Sequence, residues 1–487
     1  MIFKGGDDMS IFTRLLGRLG NLFGATNADI GREFGVKLIS SSQMQNALNN
    51  WDNISKGKAP WVDREDGIKT VNMAKFIADT RAKLTTLDIG ISVSGGSARA
   101  DFLQNITDDL IKRLPEKMCE ADRLGGMMIR WNGTSWDFVL PGSFGVTEVN
   151  GNREITGAIF AVQAVEGNNT YTRLEYHRFV DVDGESLYQV TNKAFRNGTD
   201  ISGNTTLGTP VPLTEVRAWA HLQPDTYIRG LAKPLFAYYR VPGSNNIDDT
   251  SPLGVSIFAN ALTELRAIDV AISRKDTEIE DSKHMTFIGQ SIKRSADNRN
   301  FKLPRFVQQL GIGLDDASNS SIKEHTATLL TESRLQDINF NLSMAGVKCG
   351  FSEGVFVLDG QRGMVTATQI ESDDRDTIQT IKDDRDALQA ALEQAIEGAD
   401  KIATLMNLAP LGEYELQFAF GDITYSYEED KANWRMYAMQ GWVPKWVYLM
   451  KFEKMSEEEA KAMIAEAQMA DAEVQLFQQQ LSAEGDD

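Results

Sequence analysis

The stretch from Asn245 to Thr368 constrains the chain most, because it asks for two long helices with a small insert between them. Ile257, Ala261, Leu262, Leu265, Ile268 and Ile272 recur every three to four residues, the spacing of one apolar helix face. Ser251 is expected to cap this helix, with Pro252 in its first turn. The pattern fades near Lys283, which makes a helix of about 40 Å from Ser256. A second helix is expected from Ser321, since Ser321 and Glu324 have capping-box spacing. Its apolar side carries Leu330, Leu335, Ile338 and Leu342 towards Ala345. Met285 to Asn319, between the two helices, reads as short strands and turns. Gly350, Gly354, Gly360 and Gly363 punctuate the loop that follows and permit positive φ. Thr366-Ala367-Thr368-Gln369-Ile370 then starts a third helix.

The flanks divide by period. Up to about Gly126 the pattern is helical: Met44, Leu48 and Trp51 share a face, and Met73, Phe76, Ile77, Leu84 and Leu87 follow at helical spacing. Leu103, Ile106, Leu110 and Leu114 make another helix, predicted to stop at Pro115. Gly125-Gly126 breaks the pattern before the strand-like Met127 to Trp131. From there to Arg240 the reading is β, with turn dipeptides at Asn132-Gly133 and Asn150-Gly151. The clearest hairpin, Tyr171 to Phe195, turns at Asp183-Gly184. The third long helix is expected from about Thr368 to Asn407, with Ile370, Ile378, Ile381, Leu388, Leu392, Ile396 and Leu405 as its buried stripe. At about 60 Å it suits a strut. Tyr414 to Tyr427 is strand-like, and Trp434, Trp442 and Trp446 fall in short helices split by Gly441 and Pro444. Ser456 and Glu459 open a last helix with capping-box spacing, and Ala460, Met463, Ala467, Ala470, Val474 and Phe477 follow at coiled-coil-like intervals. The fold class expected is α+β.

Charge narrows the function. Fifty basic against sixty-nine acidic side chains give a net charge of −19, whereas a protein that grips phosphate should be basic. Solubility accounts for the acidic excess. It is uneven: His284 to Lys323 carries six basic and three acidic residues, and Phe452 to Asp487 ten acidic and two basic. Two cysteines, Cys119 and Cys349, form no CxxC pair and no disulfide framework, which points to a reducing compartment. No apolar run approaches transmembrane length. Ile11 to Leu16, interrupted by Arg14 and followed by Arg18, lacks signal-peptide order and is expected to pack as a helix on the body or on a neighbouring subunit, the alternative being an amphipathic helix on a membrane surface.

Few residues suggest chemistry. Asp373-Asp374-Arg375-Asp376 recurs as Asp383-Asp384-Arg385-Asp386, and carboxylate clusters of this kind hold magnesium in nucleases. On a helix, however, equivalent positions ten residues apart lie roughly 80° apart. The interposed arginines favour a solvated face with local ion pairs. Asp181-Val182-Asp183-Gly184-Glu185 lacks the later ligands of a calcium loop and reads as a hairpin turn. His177, His221, His284 and His325 are scattered, with no HExxH and no nucleophile elbow. Gly57-Lys58 has no upstream glycine and is followed by Ala59, so the phosphate-cradling loop of an ATP-driven motor is missing. Lys293 to Arg305, with Phe301 within it, has the character of an exposed docking surface more than of a nucleic-acid site. No cofactor, metal or catalytic residue is expected.

Asn245-Asn246-Ile247-Asp248-Asp249-Thr250-Ser251-Pro252-Leu253-Gly254-Val255-Ser256 resembles the lead-in to the stem of the portal protein family of long-tailed double-stranded DNA phages. Ser352-Glu353-Gly354-Val355-Phe356 with Thr366-Ala367-Thr368 resembles that family's tunnel loop and following helix. Trp51 with Trp61, the Leu124-Gly125-Gly126 turn, Leu174-Glu175-Tyr176-His177 and Thr191-Asn192-Lys193 resemble its wing. The resemblance spans about Met44 to Gln468. It implies a portal fold: a wing over 1–250, stem helices over 251–282 and 319–346, a clip over 283–318 and a tunnel loop over 347–367. A long wing helix and strand over 368–427 and a crown with acidic tail over 428–487 complete it. It implies a virion protein assembled in the host cytoplasm, usually a dodecameric head–tail connector. Such a ring nucleates the head with major capsid and scaffold proteins, docks the terminase motor and then the head–tail adaptor, and passes DNA in packaging and ejection without reading its sequence. Lys348, Val355, Phe356, Asp359 and Arg362 are the channel candidates it implies, on a loop expected to carry no core residue. Lys293, Arg294, Arg299, Lys302 and Arg305 are the clip docking candidates. The alternative is a metal-dependent nuclease using the Asp373–Asp386 carboxylates. Neither reading involves a membrane.

Overall fold

The structure, a computed structural model, describes residues 30–39, 41–62, 67–199, 205–281, 285–288, 307–309, 322–325, 331–359, 363–364, 375–422, 427–440, 442–453 and 455–466. They form an α+β protein of two units, Met1–Ala367 with Asp374–Gly421, and Thr368–Asp373 with Asp422–Asp487.

In the first unit, α1 (Ser42–Ser55) buries Met44, Leu48 and Trp51 as their spacing predicts, and the Ser41 side chain caps it through the Met44 amide. Next come α2 (Met73–Thr85), β1 (Gly90–Ser94) and α3 (Ala98–Leu124). Helix α3 does not stop at Pro115. Its apolar stripe continues through Met118 to Leu124, and Pro115 sits on the exposed side, where water can satisfy the carbonyl that its missing N–H leaves free. Gly125, at φ +85°, ends the helix in the left-handed conformation.

The β region follows its turn signals. Strands β2 (Gly126–Trp131), β3 (Trp136–Val139) and β10 (Ala237–Arg240) make one antiparallel sheet in the order β10-β2-β3. The larger sheet runs β4 (Phe144–Val149), β5 (Ile155–Glu166), β6 (Asn169–Val182), β7 (Glu185–Thr199) and β8 (Thr205–Val211). Strand β9 (Asp225–Arg229) shares the outer edge of β7 with β8. The β6–β7 turn is the expected two-residue hairpin, with Asp183 at φ +56° and Gly184 at φ +83°. Alternation buries both faces: Ile159, Leu174, Tyr176 and Phe195 pack under Ile30 and Phe34, while Phe160 and His177 meet Phe236 on the other side.

The central helices start later than expected. Ser251 and Pro252 are not a helix start. Asn245 Oδ1 accepts from the Ile247 and Asp248 amides, and Asp248 Oδ1 accepts from Thr250, so side chains hold this stretch in turns. Helix α4 (Leu262–Asp281) begins after a short 3₁₀ turn. Strand β11 (Met285–Ile288) pairs with β12 (Val307–Gln309) and β13 (Ile322–His325). The second helix therefore does not begin with a Ser321–Glu324 box. Glu324 is a rung opposite Thr286 on β11, where the ladder satisfies the backbone, and α5 runs Thr331–Lys348. The short pair β14 (Leu358–Asp359) and β15 (Gly363–Met364) precedes α6 (Arg375–Leu405), about 46 Å long. Strand β16 (Glu415–Ala419) closes the unit against β1.

The second unit holds α7 (Tyr427–Gln440), α8 (Lys445–Glu453) and α9 (457–466). The capping box at α9 is formed: the Glu459 amide donates to Ser456 Oγ and the Ser456 amide to Glu459 Oε2.

Candidate functional site

Helices α4 and α5 are an antiparallel pair with β11–β13 between them in sequence. Two ion pairs set their register. Lys348 Nζ meets Glu264 Oε1 at 2.6 Å, and Arg334 Nε meets Glu278 Oε2 at 2.6 Å. The partners are fourteen residues apart on each helix, about 21 Å. Ile268, Ile338, Leu342 and Ala345 lie buried, while Phe340 (64% exposed) and Val347 point away on the outer face of α5. Along its middle α4 is tied down: Asp269 accepts from Trp61 Nε1 (2.9 Å) and from the Val71 amide (2.9 Å), and Ser273 accepts from the Lys69 amide.

Helix α5 ends in a Schellman motif. Gly350 is at φ +85°, its amide reaches the Val347 carbonyl, and the Phe351 amide reaches that of Gly346. Phe351 and Phe356 then stack edge-on at 4.8 Å, and Phe356 meets Phe76 of α2 at 5.9 Å. Gly346 makes room for this ring: a Cβ there would lie 2.9 Å from it. The loop after α5 therefore does carry core residues. Phe356, 3% exposed, leaves the set of channel-facing candidates because its ring is spent on the core. Lys348 also departs from expectation, being the last residue of α5 and paired with Glu264. Val355 is half-buried beside Phe356, and Asp359 lies in β14. The amide and carbonyl of Leu358 bond to the Asn339 side chain, which clips β14 to the middle of α5. Arg362, Lys293, Arg294, Arg299, Lys302 and Arg305 lie outside the described residues.

The second acidic tetrapeptide is structural. Asp384 is buried, not solvated. Arg81 of α2 donates to both its oxygens, from Nε at 2.6 Å and from Nη2 at 2.7 Å, and gives Nη1 to the Cys349 carbonyl at 3.0 Å. Burial alone would lower the Arg81 pKa, but Asp384 overcomes it and holds the charge. Arg385 donates to the Leu84, Thr85 and Gly421 carbonyls, closing the end of α2. Asp383 and Asp386 face solvent, and Asp373 and Asp374 lie outside the described residues. Among the described residues no three His, Cys, Asp or Glu side chains gather as a metal site.

Two polar clusters escaped the sequence reading. One is the surroundings of Arg81, which include Asp122 and Tyr239. The other lies between the two sheets. Glu175 takes hydrogen bonds from Arg130 (2.9 Å) and His177 Nε2 (2.7 Å) and pairs with Arg173 (2.9 Å). Burial would raise the Glu175 carboxyl, but Arg130 and Arg173 hold it well below its ordinary range. Burial lowers the His177 pKa and keeps its ring neutral, with Nδ1 2.9 Å from the Tyr188 hydroxyl. Arg130 also stacks 4.3 Å over Phe160. This cluster is enclosed and holds the two sheets together.

No helix among the described residues is long and apolar enough to cross a membrane. A scan against protein-family models finds no match to this chain, and a search of curated proteins finds no relative.

Proposed function

We propose that this chain is a subunit of a portal-type ring: a passive channel at one vertex of a phage head that conducts double-stranded DNA. The observation that carries the reading is the α4–α5 pair, locked in register, tied down along the middle of α4 and interrupted by the small β11–β13 sheet. A portal stem bearing its clip needs this arrangement. The outer face of α5 supports it, because Phe340 and Val347 await cover that a neighbouring copy supplies in a head-to-tail ring. The role is mechanical, in the virion, with terminase motor, adaptor, capsid and scaffold proteins as successive partners. No residue is assigned a catalytic part, and Asp384, spent on its pair with Arg81, is not among the carboxylates open to a metal.

The ring is tested by native mass spectrometry. Twelve copies of a 54.0 kDa chain give about 0.65 MDa. A clean monomer at micromolar concentration across several salts sinks the proposal.

The loop offers a second test. Deleting Val355 to Gly360 would remove Phe356 from the core, so the deletion that isolates channel function is Gly360 to Arg362. Rings of this variant are expected to assemble and then to package less nuclease-protected DNA, or to leak it. Contacts of Arg362 with phosphate should be few and salt-sensitive. Full-length DNA retained as in the wild type would remove this loop from the channel.

A further inference from the structure

Asp122 lies near the end of α3, where α2, α6, β10 and the end of α5 converge. It is 0% exposed, and among the described residues neither of its carboxylate oxygens has a hydrogen-bond partner. Arg81 from α2, Asp384 from α6 and Tyr239 from β10 surround it. The Cys349 thiol at the end of α5 feels the charge of the same guanidinium and is pushed up to about 12 by burial. Arg81 is committed elsewhere, to both oxygens of Asp384 and to the Cys349 carbonyl. The Tyr239 hydroxyl also has no partner among the described residues. An interior carboxylate without a donor is stable only in its neutral form.

We propose that Asp122 is a buried proton-binding site, and that its proton decides how Arg81 is shared. With Asp122 neutral, Arg81 serves Asp384 and the Cys349 carbonyl. When the Asp122 O–H bond breaks and its proton passes to water, two carboxylates compete for one guanidinium, which is drawn away from the end of α5. Burial, then the charge of Asp384, raise the Asp122 carboxyl well above its ordinary range, and Arg81 opposes them only in part. The site lies where both long helices join the first unit. The Asp122 carbonyl accepts the Ile257 amide (3.1 Å) ahead of α4, and Cys349 closes α5. The inference stands on these contacts and not on the portal reading.

Infrared spectra of the full-length protein near neutral pH test it. The wild type is expected to show the C=O stretch of a protonated carboxylic acid, and Asp122→Asn to lack it. Superimposable spectra in that region overturn the proposal. Stability against pH gives an independent arm. Because the folded pKa is raised, the stability from this group is full below the ordinary aspartate value of about 3.9 and falls as pH rises. The wild-type unfolding constant should therefore grow about tenfold per pH unit relative to Asp122→Asn, up to the folded value. Parallel pH profiles overturn the site. Should Asp122→Asn not fold, Asp384→Asn decides: Arg81, freed of its partner, should pair with Asp122 and abolish the acid band. A band that persists there shows that Arg81 is not shared.

Discussion

Replacing Arg81 with alanine is expected to destabilise the first unit by about 3–5 kcal/mol, the cost of breaking a buried ion pair from one side. The loss has two sources. Asp384, fully buried, loses both of its charge-assisted bonds, and the Cys349 carbonyl loses its donor at 3.0 Å. Thr85 Oγ1, at 3.5 Å from Asp384, is too distant to replace them. Asp384→Ala should cost less than Arg81→Ala, because Asp122 remains to pair with the guanidinium. The double change Arg81→Met with Asp384→Leu should recover most of the loss, since an apolar pair of similar volume needs no desolvation of charge. Denaturant melts of the four proteins measure all of this. A loss under about 1 kcal/mol for Arg81→Ala would mean that the pair is wet.

Glu175→Ala is expected to cost about 3 kcal/mol, the lower end of the same range, because the Glu175 side chain keeps 14% of its exposure. It takes from Arg130 and Arg173 the carboxylate they share, leaving Arg130 with Asp137 at 3.3 Å and Arg173 with the Asn192 side chain, and it removes the acceptor of His177. The pH signature has the opposite sign to that of Asp122. The folded pKa of Glu175 is depressed, so its contribution is present above about pH 4.3, the unfolded value, and is lost as pH falls. The folded pKa of His177 is also depressed, so stability declines already below about 6.5, where the unfolded ring takes a proton. The wild type should weaken in two steps on acidification. Glu175→Gln should keep the upper step and lose the lower, as acid melts at several pH values would show. A single step unchanged by Glu175→Gln would assign acid sensitivity elsewhere.

Local rules were legible in the sequence. Asp183-Gly184 turned where its dipeptide said, Gly125 ended α3, and Ser456 with Glu459 capped α9, because each depends on neighbours a few residues away. Long-range satisfaction was not. Glu324 spelled a capping box yet became a strand rung, because β11 supplied a ladder that spacing cannot reveal. Pro115 spelled a stop, but the stripe beyond it had a core to enter. The Arg81 cluster did leave a signal. Arg81 follows Ile77 by four residues, Asp122 follows Leu114 and Met118 at intervals of four, and Asp384 falls between Ile381 and Leu388. Each is a charge on the apolar stripe of its own helix, and three such intrusions in one chain are the mark of residues that neutralise one another inside. The channel candidates rest on resemblance, which carries no information about which rings the core claims. Phe356 shows the consequence.

Gly125 and Gly254 have no side chain between them: a Cβ on Gly254 would come within 2.0 Å of the Gly125 carbonyl oxygen, and one on Gly125 within 2.4 Å of the Gly254 backbone. Bare backbone therefore bears on bare backbone just ahead of α4, with no rotamer to absorb strain. Such a joint fixes where the chain sets out towards α4, and Trp61, Lys69 and Val71 hold Asp269 and Ser273 further along that helix. The two ion pairs oblige α5 to follow. Stiffness at that junction is positional accuracy at the β11–β13 end.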